Sequence, residues 1–244
     1  MTLWKIGGFD LAVYAAGDPD APKIALVLPG RLETKDYAHI QSHVRHLAEL
    51  GFYAVSFDPP GTWESPGDIT IYTTENYLAA VNDLIKHLGN RPTLLVGHSR
   101  GGSIAMLVAV ENPSVVGFVA MMASAAPARP DEEWKAAGKL TFYRDLPPGD
   151  RPSAEQVKFD LPYYCYENHL LADLAKCKKP KLFIAGKYDH ANQTRDVVEA
   201  YETSCAPKQF RELPTGHSYR YHPDITEAVN AKLTKFVQVT GLLQ

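Results

Sequence analysis

The chain has 244 residues, of which 45% are hydrophobic and 22% charged, with a formal net charge of -3. That length holds one large α/β domain or two small ones, and the composition is ordinary for a soluble globular protein. The weakly acidic balance and the lack of a long basic run argue against a nucleic-acid partner, and no apolar run approaches a membrane span.

Residues 1–6 lack a basic region followed by a long apolar core, so no signal peptide is expected. Cys165, Cys177 and Cys205 are scattered, odd in number and fit no metal spacing. They read as reduced thiols, and the expected compartment is the cytoplasm.

In chain order, Gly7-Gly8 separates two short apolar segments, 3–6 and 9–15, which predicts a β-hairpin. A turn cluster over 18–22 leads into the continuous apolar run 24–28, a strand buried on both faces. Residues 36–50 place Ile40, Val44, Leu47 and Ala48 on a helical stripe closed by Gly51. A strand over 52–57 ends at Asp58-Pro59-Pro60-Gly61, and 77–88 reads as a helix. A strand over 93–96, a helix over 103–110 and a buried strand over 115–122 follow. Later come a strand over 181–185, a helix around 195–203 and a short strand around 210–213. The last helix is expected to start at Asp224 as N-cap, with Glu227 three residues on, and to run towards Val239. This alternation predicts a mostly parallel sheet flanked by helices, with ligands bound at the carboxyl ends of the strands.

Residues 124–175 break the rhythm. They are rich in proline and aromatics, among them Pro127, Pro130, Trp134, Phe142, Tyr163, Tyr164 and Tyr166. Long excursions within compact domains are usually functional. We read 124–175 as a cap inserted over the site within a single domain spanning 1–244; a surface excursion away from substrate is the alternative.

The most informative stretch is Gly97-His98-Ser99-Arg100-Gly101. An apolar strand precedes it and a helix follows, which puts the serine at the tip of a sharp, strained turn beside a helix N-terminus. Such a position favours the negative charge that develops when the hydroxyl attacks a carbonyl. A serine hydroxyl needs a base, and the base needs a carboxylate to fix its tautomer. Asp189, just past the 181–185 strand, and His217, just past the short strand, supply these in the order nucleophile, acid, histidine. His190, His222, Asp160 and Asp173 are weaker alternatives. The oxyanion donors are expected to be the backbone N–H of Arg100, following the nucleophile, and that of Arg31 in Pro29-Gly30-Arg31-Leu32. Pro29 has no N–H to give.

The chain resembles an α/β-hydrolase-fold serine hydrolase over nearly its whole length. The matching residues are Gly97-His98-Ser99-Arg100-Gly101-Gly102, Phe57-Asp58 with Gly61 and Glu64-Ser65-Pro66-Gly67, Gly186-Lys187-Tyr188-Asp189, and Gly216-His217. The resemblance implies an eight-stranded sheet in which only the second strand is antiparallel, with Asp58 and Ser65 as structural turn residues. Many members carry His-Gly in the oxyanion loop where this chain has Pro29-Gly30.

The side chains of Arg31 and Arg100 suit a substrate carboxylate, but solvation or pairing with nearby acids is the expectation. His39, His43 and His46 share one flank of the first long helix. An i, i+4 pair can share an ion, but no acidic or cysteine ligand accompanies them at a telling spacing, so we expect a polar flank and no metal. No phosphate-binding glycine loop or dinucleotide fingerprint appears, and no cofactor is implied. The expected function is hydrolysis of carboxylic ester bonds in a small or medium substrate. Thioesterase, lactonase and carbon–carbon bond hydrolase activities with the same residues, or a non-catalytic receptor on the same fold, are the alternatives.

Overall fold

The structure is a computed structural model that describes residues 2–126 and 131–242, without the side chains of 191–193. Pro127 and Pro130 lie outside the described residues. The elements run β1 (Thr2–Ile6), β2 (Phe9–Ala16), β3 (Ile24–Leu28), α1 (Ala38–Glu49), β4 (Tyr53–Phe57), α2 (Thr74–His87), β5 (Thr93–His98), α3 (Arg100–Glu111) and β6 (Val115–Met121). Next come α4 (Glu132–Ala137), β7 (Lys139–Asp145), β8 (Gln156–Pro162) and α5 (Leu170–Leu174). The chain closes with β9 (Lys181–Gly186), α6 (Ala191–Thr203), β10 (Lys208–Leu213) and α7 (Pro223–Val239).

Eight strands form one sheet in the order β1-β2-β4-β3-β5-β6-β9-β10. Strand β2 is antiparallel to both β1 and β4, and the remaining pairs are parallel. Every residue of β3, β5 and β9 is buried, because helices cover both faces. The two-residue period of a strand divides these side chains between two cores. Leu26, Leu95 and Phe183 pack on one face with Tyr77, Leu84 and Ile104 of α2 and α3. Val27, Val96 and Ile184 pack on the other with Val44 of α1 and Leu233 and Phe236 of α7. Each such fully buried side chain stabilises the fold by roughly 1.5–3 kcal/mol.

Among the helix starts that differ from the sequence reading, those of α2 and α7 have a local cause. Helix α2 begins at Thr74 because Thr73 is its cap: the Thr73 hydroxyl accepts the Asn76 N–H at 3.2 Å. Helix α7 begins at Pro223, with His222 rather than Asp224 in the cap position. Proline at the first helical position needs no N–H partner, and Asp224 lies in the first turn, where a carboxylate complements the helix dipole.

Between β6 and β9, strands β7 and β8 form a separate antiparallel hairpin. It is tied to the main body through Asp145. The Tyr37 hydroxyl donates to the Asp145 carbonyl at 2.7 Å, and the Tyr221 hydroxyl to its carboxylate at 2.6 Å. At the other end the indole of Trp134 donates to the Leu161 carbonyl at 3.2 Å.

The histidine-bearing flank of α1 is not a solvated polar face. His39 and His43 are buried against the turn at Tyr219 and against α7. His43 Nδ1 donates to Asn230 Oδ1 at 2.6 Å, and the Tyr219 hydroxyl donates to Nε2 at 2.8 Å. Burial, then the neighbouring His39, pushes the His43 imidazole down to about 3, although Asn230 favours the charged form; His46 and His98 add to the lowering. Below about pH 6.5 the unfolded chain therefore takes up a proton that the folded chain refuses, which costs about 1.4 kcal/mol per pH unit. The urea midpoint is expected to fall steadily from pH 7 to pH 4, and the His43→Gln variant to lose less over that range. Equal losses in the two proteins would contradict this account.

Candidate active site

Strand β5 delivers the chain to Ser99, whose backbone sits at φ 50° and ψ -120°. A non-glycine residue there stores roughly 1–3 kcal/mol of strain. The turn closes this tightly only because two neighbours lack side chains. A Cβ on Gly97 would lie 2.2 Å from the Gly101 carbonyl oxygen, and one on Gly101 would lie 2.1 Å from that of Leu28. The Ser99 N–H donates to the Met121 carbonyl at 2.8 Å, which fixes the elbow against β6.

Asp189 and His217 follow the carboxyl ends of β9 and β10, and the Tyr188 N–H joins their two loops by donating to the Thr215 carbonyl at 2.9 Å. The structure brings both to Ser99. The His217 Nε2 lies 2.8 Å from the Ser99 Oγ, and Nδ1 lies 2.9 Å from Asp189 Oδ2. The Asp189 carboxylate is 1% exposed and its second oxygen accepts the His190 N–H at 2.7 Å. Burial first, then the proximity of His98, lowers the His217 imidazole below its ordinary value, against the opposing pull of Asp189. The alternative acids sit elsewhere: Asp160 binds Lys139, Thr141 and Lys158 on the hairpin, and Asp173 lies on α5.

The loop after β3 is held at nearly every polar atom. Gly30 donates to the Glu33 carboxylate at 2.8 Å, Leu32 to the Tyr72 hydroxyl at 3.2 Å, and Glu33 to the Gly30 carbonyl at 3.1 Å. Arg144 grips the Arg31 carbonyl from two nitrogens at 3.1 and 3.0 Å. Within 30–33, the Arg31 N–H is the backbone donor without a partner among the described residues. The Arg100 N–H lies in the first turn of α3, where a helix offers no acceptor of its own.

Sequence reasoning did not single out Glu33 and His98. Glu33, 3% exposed, takes the Gly30 N–H and the His98 Nδ1–H (3.0 Å) on one oxygen. Its other oxygen faces His39 and Arg220, each at 3.7 Å. The His98 Nε2–H then donates to the His217 carbonyl at 3.0 Å. Each ring nitrogen of His98 thus faces an acceptor. Burial alone would raise the Glu33 carboxyl, but the charges and hydrogen bonds of His98 and His39 hold it well below the usual range. Glu33, His39 and His98 bring ligand-type atoms within 4.8 Å of one another. Hydrogen bonds already use the Glu33 oxygen nearest His98 and both His98 nitrogens. The only advance signal was local: a carboxylate three residues after a loop glycine, where a side chain can cap the backbone.

Asp58 and Ser65 serve the turn after β4. Asp58 is fully buried and accepts the N–H groups of Lys35 and Glu64, while the Ser65 hydroxyl donates to the Asp58 carbonyl at 2.6 Å. No disulfide joins Cys165, Cys177 or Cys205.

A cavity of about 520 Å³ opens over Ser99. Arg31 and Arg100 line it from the main body, and Trp134, Tyr163 and Tyr166 line it from the segment between β6 and β9. No helix among the described residues is long and apolar enough to cross a membrane.

A family model for the α/β-hydrolase fold matches residues 26–146. No curated protein matches the chain. Solved structures do. Est1E from Butyrivibrio proteoclasticus, with ferulic acid bound, is 19% identical with a TM-score of 0.72, covering 98% of this chain and 100% of its own. A thioesterase domain from the curacin biosynthetic pathway is 19% identical with a TM-score of 0.71 (96% and 98% covered). The enol-lactonase from Burkholderia xenovorans LB400 is 17% identical with a TM-score of 0.71 (97% and 100% covered). At these identities the likeness is one of fold.

Proposed function

Because this chain has the α/β-hydrolase fold, we propose that it is a serine hydrolase that cleaves carboxylic ester bonds through Ser99, His217 and Asp189. The observation that carries this reading is the unbroken relay from the Ser99 hydroxyl through the His217 ring to the buried Asp189 carboxylate, with contacts of 2.8 and 2.9 Å. Ser99 Oγ attacks the carbonyl carbon as its proton passes to His217 Nε2. The oxyanion is held by the N–H groups of Arg31 and Arg100. Collapse expels the alcohol, which takes the proton from His217 and leaves an acyl-enzyme. Water then attacks with His217 again as base, and the acid departs with Ser99 restored. Asp189 stays ionised, keeps the Nδ1–H tautomer and stabilises the imidazolium. The segment 124–175 acts as a cap that closes the cavity over the serine and supplies its aromatic wall.

Esters, thioesters and lactones all present a carbonyl that this machinery can attack, so the substrate class is tested directly. p-Nitrophenyl esters of graded chain length are compared with thioesters and lactones. Ester turnover above the others, lost in Ser99→Ala, is the expected result; a preference for thioesters or lactones would transfer the assignment to those bonds.

The pH profile gives a further check. The base must be neutral to act, and the His217 imidazole is lowered by burial and His98. The acid limb of kcat/KM is therefore expected below about pH 6.5, the unperturbed histidine value. A limb centred above that value would contradict His217 as the base in this environment.

A further inference from the structure

The cavity over Ser99 holds two cations that the protein itself leaves without counter-charge. Among the described residues, no carboxylate oxygen lies within 4.0 Å of the guanidinium of Arg31 or Arg100. Of the two sequence expectations, solvation or pairing with nearby acids, the second finds no partner among the described residues. Their neighbours are rings, other cations and one carbonyl, that of Tyr72, which accepts from Arg100 at 3.4 Å. Arg100 stacks over Tyr72 at 4.0 Å from the ring centroid. Arg31 lies over Phe142 at 5.4 Å, and Arg144 lies over the same ring at 5.5 Å. Arg144 spends its donors on the carbonyls of Arg31 and Tyr143.

The acids that line the same cavity are engaged elsewhere. Asp131 accepts the Trp134 N–H at 2.9 Å, and Asp196 accepts the Ser124 hydroxyl at 3.0 Å and faces Arg195 at 3.8 Å. Two guanidiniums lining one cavity beside a nucleophile, with aromatic support and no carboxylate within 4.0 Å among the described residues, form an incomplete ion-pair site. Arginine forks are shaped for a carboxylate or phosphate oxygen pair.

We propose that Arg31 and Arg100 bind an anionic group on the substrate, so that the preferred ester carries a carboxylate or comparable anion besides its scissile carbonyl. This rests on the serine-hydrolase reading of the same site. Both residues also offer their backbone N–H groups to the oxyanion, so one pair of positions orients the substrate and stabilises its transition state. The side chains are free to set specificity because substitution leaves the backbone donor in place.

Matched esters test this. Monomethyl adipate is compared with methyl hexanoate, and 4-acetoxybutanoate with butyl acetate, so that the anion lies on the acyl or the alcohol side. Fluorophosphonate labelling of Ser99 is run in parallel. We expect kcat/KM for the anionic member of at least one pair to exceed its neutral partner by about ten- to a hundredfold, the range of a charge-assisted contact. That ratio should shrink as salt is added, and should fall towards one in the Arg31→Gln/Arg100→Gln double variant. Labelled enzyme with both ratios at or below one overturns the anion proposal and leaves the hydrolase reading standing. A ratio above ten that the double variant retains also overturns it, since the charge is then read elsewhere. Folded protein that neither labels nor cleaves any of the four esters removes the hydrolase reading, and this proposal with it.

Discussion

Replacing Ser99 by alanine is expected to lower ester turnover by about four to six orders of magnitude, and His217→Ala to do the same. The two losses are large because each residue is useless without the other: a neutral hydroxyl is a poor nucleophile, and a base with no hydroxyl to deprotonate has no proton to move. The double variant should therefore be no slower than either single one. Asp189→Asn should cost less, about ten-thousandfold, because the oxyanion donors and the nucleophile remain while the tautomer at the 2.9 Å Nδ1 contact is lost. Steady-state rates on one activated ester, with near-ultraviolet circular dichroism to verify folding, give all four values. Losses that multiply in the double variant would mean that Ser99 and His217 act in separate steps.

Neutralising Glu33 should produce the next largest effect, although it touches neither nucleophile nor base. Its carboxylate holds the Gly30 N–H at 2.8 Å, one residue before the proposed oxyanion donor Arg31, and holds His98, which in turn holds the His217 carbonyl. One buried charge thus joins the loop after β3, the elbow after β5 and the loop after β10. Glu33→Gln leaves Arg220 with Asp145 at 3.3 Å but leaves His98 without its anion. Breaking a buried charge pair costs about 3–5 kcal/mol of stability. A loosened oxyanion loop should lower kcat by about ten- to a thousandfold. KM should change less, because the side chain does not line the cavity. The sign of the pH effect follows from its depressed carboxyl. The stabilisation is present above about pH 4.3, the unfolded value, and is lost as pH falls through the lower folded value. Urea unfolding and the kcat–KM split measure both effects. Unaltered kcat in a destabilised Glu33→Gln protein would make Glu33 purely structural.

What was legible in the sequence was whatever local chemistry determines. The apolar runs of β3, β5 and β9 announce strands buried on both faces, and the glycines around Ser99 announce an elbow because nothing larger fits against Leu28 and Gly101. Asp189 and His217 stood out because each follows a readable strand. The hairpin of β7 and β8 was missed although Gln156-Val157-Lys158-Phe159-Asp160-Leu161 alternates polar and apolar, because the prolines and aromatics around it read as an irregular excursion. Histidine burial is a tertiary property. His43 looks like any surface histidine until α7 supplies Asn230 and the turn after β10 supplies Tyr219. Glu33 offers only its spacing from Gly30, because its other partners come from three further segments of the chain.

The most direct measurement is intact-protein mass spectrometry after exposure to a fluorophosphonate, followed by peptide mapping. The reagent reports a hydroxyl that surrenders its proton on contact with an electrophile, the property on which the whole reading turns. One adduct per chain is predicted, carried on the peptide containing Ser99, absent from Ser99→Ala, and formed more slowly as pH falls through the His217 titration. Folded wild-type protein that stays unmodified, or an adduct that persists in Ser99→Ala, would contradict it.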